Sequence, residues 1–269
     1  MTKTILLTGA TDGIGLETAK QLVALGHTVL VHGRSEAKLE NTMQTLAGLE
    51  GSGEAQAYRA DLSDLAAVNA LADAIAAEHP RIDVVINNAG VFKTPKPQLD
   101  NGFDVRFVVN TLAPWLLTQR LLPLLPADGR VVNLSSAAQA PVDLNALAGK
   151  RTLDDSSAYA QSKLAITMWT AHLAKQLGTR SPVIVAVNPA SFIGSKMVKD
   201  AYGMDGKDLS IGANILVDAA LGDQFADASG KYFDNDSGRF AAPHPDALDD
   251  KRNAALVDVV ERLVGELSG

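Results

Sequence analysis

Thr4-Ile5-Leu6-Leu7-Thr8-Gly9-Ala10-Thr11-Asp12-Gly13-Ile14-Gly15 reads as a short apolar strand that breaks into a glycine-rich turn and then opens a helix. Glycine lets the chain turn tightly and brings backbone close to a ligand. The helix N-terminus adds unpaired N–H groups and the positive end of a dipole. Together these suit a pyrophosphate. No Gly-Lys-Ser/Thr follows, so this is not the ATP-type phosphate loop. A glycine turn can also serve structure alone; its place between a first strand and a first helix favours the phosphate reading.

The same rhythm continues outward. Strands are expected at Thr4–Thr8, Thr28–His32, Ala55–Arg59, Asp83–Asn87, Arg130–Leu134, Val183–Asn188 and Lys231–Asp234. Helix-length segments lie between them at Gly13–Leu25, Glu36–Leu49, Leu65–Glu78, Phe103–Leu122 and Ser157–Leu177. Val183 to Val187 is apolar at every position, as in a strand covered on both faces. Strand–helix alternation implies right-handed crossovers. The expected fold is α/β: a single doubly wound parallel sheet of Rossmann type, with helices on both faces. No linker or repeat divides residues 1–269, so one domain is expected, with loop insertions near 137–155 and 191–207 on the ligand-binding edge.

The chain has 269 residues, 24 Lys and Arg against 31 Asp and Glu, a formal charge of −7 and no cysteine. Zero cysteine removes disulfides, thiolate zinc sites and cysteine nucleophiles together. The acidic balance argues against a general nucleic-acid binder. No apolar run reaches membrane-spanning length, and Met1 to Leu7 is too short for a signal-peptide core. A cytoplasmic protein is expected. The histidines show no ligand spacing, so no metal is expected. Asp234-Asn235-Asp236-Ser237-Gly238 is a poor calcium loop and reads as a turn after the last strand.

His32-Gly33-Arg34-Ser35 ends the second strand where a carboxylate would hydrogen-bond the adenosine ribose and repel a 2′-phosphate. Here the position is neutral and an arginine follows, whose guanidinium fork suits a phosphate. Lys38, one turn on, adds charge. Arg34, Ser35 and Lys38 therefore point to NADP(H), unless Arg34 is simply a solvated residue at a helix start.

Asn87-Asn88-Ala89-Gly90 follows the fourth strand, Ser135-Ser136 the fifth, and Tyr159-Ala160-Gln161-Ser162-Lys163 sits on a helix. With the Thr8–Gly15 turn, this ordered set resembles the short-chain dehydrogenase/reductase family from Thr4 to about Met197. The long segment between Ser136 and Tyr159 is most similar to its retinol-dehydrogenase and protochlorophyllide-reductase side. Tyr159 and Lys163, four apart, share one helix face. An adjacent ammonium favours the phenolate and brings the phenol toward the working range as general acid or base. A packed tyrosine beside a snorkelling lysine is the plainer alternative.

The resemblance implies further roles. Lys163 would hold the nicotinamide ribose, Ser136 would polarise the substrate carbonyl, and Asn110 would hold a water linking Lys163 to solvent. Ser135 is the alternative hydroxyl, and Asn110 could merely satisfy backbone groups. Gly9, Thr11, Asp12, Gly13, Ile14 and Gly15 would line the pyrophosphate. Asp61 and Leu62 would meet the adenine, unless Asp61 only caps a helix. Asn88, Ala89 and Gly90 would pack over the adenosine ribose. After the sixth strand, Pro189-Ala190-Ser191-Phe192-Ile193-Gly194-Ser195 departs from the family's Pro-Gly pattern. Pro189, Ile193 and Ser195 take the nicotinamide positions, in a register that could be off by one.

The expected activity is hydride transfer between NADP(H) and a carbonyl or alcohol. Phe92, Phe192, Met197, Tyr202 and Met204 suggest an apolar substrate, or a lid packed on itself. The alternatives are reduction of a C=C bond and a non-catalytic NADP-binding sensor or scaffold. The apolar helix after Phe103 could be core or a subunit contact, and the resemblance allows a homodimer or homotetramer.

Overall fold

Alternate residues of the first strand go to opposite sides: Ile5 and Leu7 enter one core, Leu6 the other, and all three are fully buried. The computed structural model describes residues 1–51, 53–179, 181–194, 203 and 205–268. Its strands are β1 (Thr4–Leu7), β2 (Thr28–Gly33), β3 (Glu54–Arg59), β4 (Val84–Asn87), β5 (Arg130–Leu134), β6 (Val183–Asn188), β7 (Tyr232–Asp234) and β8 (Arg239–Ala241). They form one eight-stranded sheet of order β3-β2-β1-β4-β5-β6-β7-β8. β1 through β7 pair in parallel, and β8 returns antiparallel to β7 with Phe233 opposite Phe240.

The helices are α1 (Gly13–Ala24), α2 (Glu36–Ala47), α3 (Leu65–Glu78), α4 (Val105–Phe107), α5 (Ala113–Leu121), α6 (Leu144–Leu147), α7 (Asp155–Leu177), α8 (Leu209–Leu221) and α9 (Asp250–Leu267). The core containing Ile5 and Leu7 is closed by α1, α2 and α8, and the one containing Leu6 by α3, α5, α7 and α9. The sheet is thus covered on both faces, as its apolar strands require. Strand order reverses direction between β1 and β4, which makes their carboxyl ends the ligand crevice. No helix among the described residues is long and apolar enough to cross a membrane.

Two expectations change. The segment expected as a helix at Phe103–Leu122 is continuously helical from Val105 but not α-helical throughout: a π-helical stretch, Val108–Leu112, joins α4 to α5, with the Ala113 N–H donating to the Val108 carbonyl five residues back. Pro114 supplies the cause, since it has no N–H for the Asn110 carbonyl four residues earlier and its ring would crowd that group. The turn Asp234–Gly238 does not follow the last strand; it is the hairpin between β7 and β8. β8, three residues long, is too short to show a period.

The insertion near 137–155 carries α6, capped by Asp143. At its end Arg106, buried at 1% exposure, holds Asp104 through two nitrogens and also pairs with Asp155 in the first turn of α7. A buried guanidinium needs such partners, and here they tie α4 to the start of the helix bearing Tyr159 and Lys163.

Candidate active site

The turn after β1 is built around missing side chains. Gly9 has φ +65°, and a Cβ there would stand 2.8 Å from the Ala89 Cα. A Cβ on Gly15 would collide with the Gly9 carbonyl and lie 2.6 Å from the Asn88 Nδ2. The loop after β4 is laced onto this turn. Asn88 Nδ2 donates to the Thr8 and Gly9 carbonyls at 2.8 and 3.1 Å, and the Asn88 and Ala89 N–H groups both donate to Thr8 Oγ1 at 3.0 Å. The two loops at the β1/β4 reversal therefore form one unit.

His32, at the end of β2, secures that unit and was not among the expected site residues. The Gly9 N–H donates to its Nδ1 at 3.2 Å, and its Nε2 lies 3.1 Å from the Ala60 carbonyl, which can only accept. The ring is therefore neutral with its proton on Nε2, and burial pushes its pKa down to about 4. A polar residue closing an otherwise apolar strand was the available signal.

Asp12 caps α1 through the Gly13 N–H and pairs with Lys38 at 2.7 Å, so Lys38 is engaged across the mouth of the turn. Thr11 packs against Gly33, and Ser35 caps α2. Arg34 stands exposed at the end of β2, and among the described residues its side chain has no hydrogen-bond or ion-pair partner. Asp61 accepts the N–H and hydroxyl of Ser63, Leu62 is buried, and Asp64 rather than Asp61 caps α3.

Across the crevice, α7 brings Tyr159 and Lys163 to the ends of β4 and β5. Lys163 is 4% exposed, its Nζ donates to the Leu134 carbonyl at 2.8 Å, and it lies 5.7 Å from the Tyr159 ring centre. Burial pushes this ammonium down to about 8. The Tyr159 ring leans on Phe92 at 4.7 Å between centres. Asn110, in the π-helical stretch, receives the Val91 N–H at 2.9 Å and donates to the Val91 carbonyl at 2.9 Å and Ser162 Oγ at 3.0 Å. A Cβ on Gly90 would stand 3.4 Å from Asn110 Oδ1 and 3.5 Å from Lys163 Nζ, so these groups converge on a bare stretch of backbone.

The serine pair divides. Ser135 is buried, and its hydroxyl bonds the Lys163 carbonyl at 3.1 Å and Thr167 Oγ1 at 2.7 Å, which fastens β5 to α7. Ser136 is half-buried, and its hydroxyl accepts the Ala138 N–H at 3.1 Å.

After β6, Ala190 and Phe192 adopt φ values of 126° and 56°, a region in which non-glycine residues are strained. The hairpin after β7 holds this segment. Asp236 receives the Ser191 N–H and Asn188 Nδ2 at 3.0 Å each, and Asn235 Nδ2 donates to the Pro189 carbonyl at 2.9 Å. Ile193 is buried, and with Ile14 it crowds over Gly212 of α8. Ser195, Met197, Tyr202 and Met204 lie outside the described residues.

The family model described as short chain dehydrogenase matches residues 3–205. Retinol dehydrogenase 13 of Homo sapiens is 32% identical over 282 residues, spanning 98% of this chain and 85% of that protein. Among solved structures, a protein from Mycobacterium Paratuberculosis superposes with a TM-score of 0.81 at 29% identity, covering 98% of this chain and 93% of its own. A chain from Escherichia coli CFT073, described as a short chain dehydrogenase complexed with NADPH, gives a TM-score of 0.71 at 29% identity, over 87% of this chain and 96% of its own.

Proposed function

Since this chain belongs to the short chain dehydrogenase family, we propose that it interconverts an apolar carbonyl compound and its alcohol with NADP(H), using Tyr159 as the proton-transferring group. The observation that carries the reading is the buried Lys163 ammonium beside the Tyr159 ring, at a crevice floored by Gly90.

The residues present fit the dinucleotide. Gly9 and Gly15 leave backbone bare at the N-terminus of α1, where Asp12, Gly13, Ile14 and Thr11 complete the turn for a pyrophosphate. Arg34, without a partner among the described residues and next to no carboxylate on its strand end, fits a 2′-phosphate better than a free ribose. A similar structure solved with NADPH supports the same choice. Gly90, Pro189 and Ile193 would take the nicotinamide end, and Lys163 would bond its ribose. When bound, the reduced cofactor supplies a hydride to the carbonyl carbon.

The protein's part is proton placement. Lys163 is charged below about pH 8 and stabilises negative charge on the Tyr159 oxygen, so the phenol can give its proton to the substrate oxygen in reduction. The reverse direction returns it. The Ser136 hydroxyl accepts an N–H from Ala138, which leaves its own proton for the substrate oxygen. Asn110 is held through its side chain, while Pro114 denies its carbonyl the usual helical donor. That carbonyl would accept a water reaching toward Lys163.

Phe92 beside Tyr159 and the half-exposed Phe192 support an apolar substrate, as does a relative named for retinol. A cytoplasmic location belongs to the same proposal and is read by fractionating cells that express the tagged chain. The activity test is NADPH consumption over a panel of apolar aldehydes, ketones and enones, with product analysis. Alcohol formation from aldehydes or ketones is expected. Turnover of enones alone, with a saturated ketone as product, would overturn the assignment.

A further inference from the structure

Ser136 is fixed from behind as well as through its hydroxyl. Its carbonyl accepts two side-chain hydrogen bonds, from Gln139 Nε2 at 3.0 Å and from the Tyr232 phenol at 3.1 Å. The first is local. The second comes from the opening residue of β7, whose neighbour β6 lies between it and β5. Gln139 is anchored in turn, because its Oε1 accepts the His244 N–H at 2.9 Å.

A carbonyl held by two donors cannot swing without losing a bond, and the peptide it belongs to sets where the Ser136 side chain starts. The Ala138 N–H then holds the hydroxyl itself. Tyr232 lies beyond residues 3–205, so this support comes from outside the segment that the family model matches. Burial and the carboxylates of Asp234 and Asp236 push its phenol above the ordinary range, and it keeps its proton for donation.

We propose that Tyr232 is a positioning residue of the reaction: by holding the Ser136 carbonyl, it aims the Ser136 hydroxyl at the substrate oxygen. This inference rests on the assignment of Ser136 given above. It is distinct from the ordinary need of a buried phenol for a partner, because it ties the effect of Tyr232 on rate to Ser136.

A double-mutant cycle tests it on the full-length enzyme with NADPH and the best carbonyl substrate. Tyr232→Phe keeps the ring and removes only the donor, and is expected to lower kcat about three- to tenfold, the size of one net hydrogen bond, with NADPH affinity unchanged. In a Ser136→Ala background the same replacement is expected to leave kcat unchanged. Gln139→Leu removes the other donor to the same carbonyl and should show the same coupling, which guards against a Tyr232 variant that folds poorly. Equal losses in both backgrounds would overturn the positioning role, as would an unchanged kcat in Tyr232→Phe. Failure of the underlying assignment looks different: Ser136→Ala alone then keeps its kcat.

Discussion

Lys163 Nζ stands 5.7 Å from the centre of the Tyr159 ring and spends one hydrogen bond, 2.8 Å long, on the Leu134 carbonyl. Its charge is held in a nearly dry place, and burial brings its pKa to about 8. The charge is present below that pH and lost above it. Reduction should therefore weaken as pH rises through about 8, read as a single falling limb in log kcat/KM against pH. A profile that stays level across that region would contradict the role given to Lys163.

Arg34 and Lys38 are not equivalent, although they stand four residues apart. Lys38 is paired with Asp12, whereas Arg34 has no partner among the described residues. Arg34→Asp should reverse the ratio of kcat/KM for NADPH over NADH, moving it by roughly 10- to 100-fold, as expected for a lost charge-assisted contact plus a new repulsion. Lys38→Ala should move it less. An unchanged ratio in Arg34→Asp would remove the basis for NADP(H) preference.

His32 links acidity to the integrity of the glycine turn. Its pKa in the fold is about 4, below the ordinary 6.5, so folding favours the neutral ring. The stabilising contribution is fully present above about 6.5 and is lost as pH falls from there toward 4. Its ceiling is about 3 kcal/mol. Denaturant midpoints followed through that range should fall more steeply for the wild type than for His32→Gln. Parallel curves would show that another group carries the acid sensitivity.

The central parallel strands were legible as short apolar runs, Val183–Val187 most plainly, and the motifs at Thr8, Asn87 and Ser135 stand where such runs stop. The Ser135 hydroxyl is taken up by Thr167 and the Lys163 carbonyl, partners that the sequence did not reveal, and this supports proposing Ser136 as the hydroxyl that meets the substrate. What stayed hidden depends on partners far apart in the chain. Arg106 meets Asp155 only when α4 and α7 are packed, and Asp236 reaches Ser191 across 45 positions. The π-helical stretch at Val108–Leu112 has a local cause in Pro114, but the apolar run around it reads as uniform α-helix. Ser191 to Phe192, held by Asp236 in a strained backbone, follows no simple register, and Ser195 lies outside the described residues.

The proton-transferring role of Tyr159 is tested by Tyr159→Phe, measured as steady-state carbonyl reduction alongside NADPH binding. Phe keeps the ring against Phe92 and removes only the oxygen that carries the proton. A kcat lower by about 10²- to 10⁴-fold with NADPH affinity retained is expected, since the lost group acts only in the chemical step. A Tyr159→Phe enzyme that reduces its substrate at the wild-type rate would contradict that role.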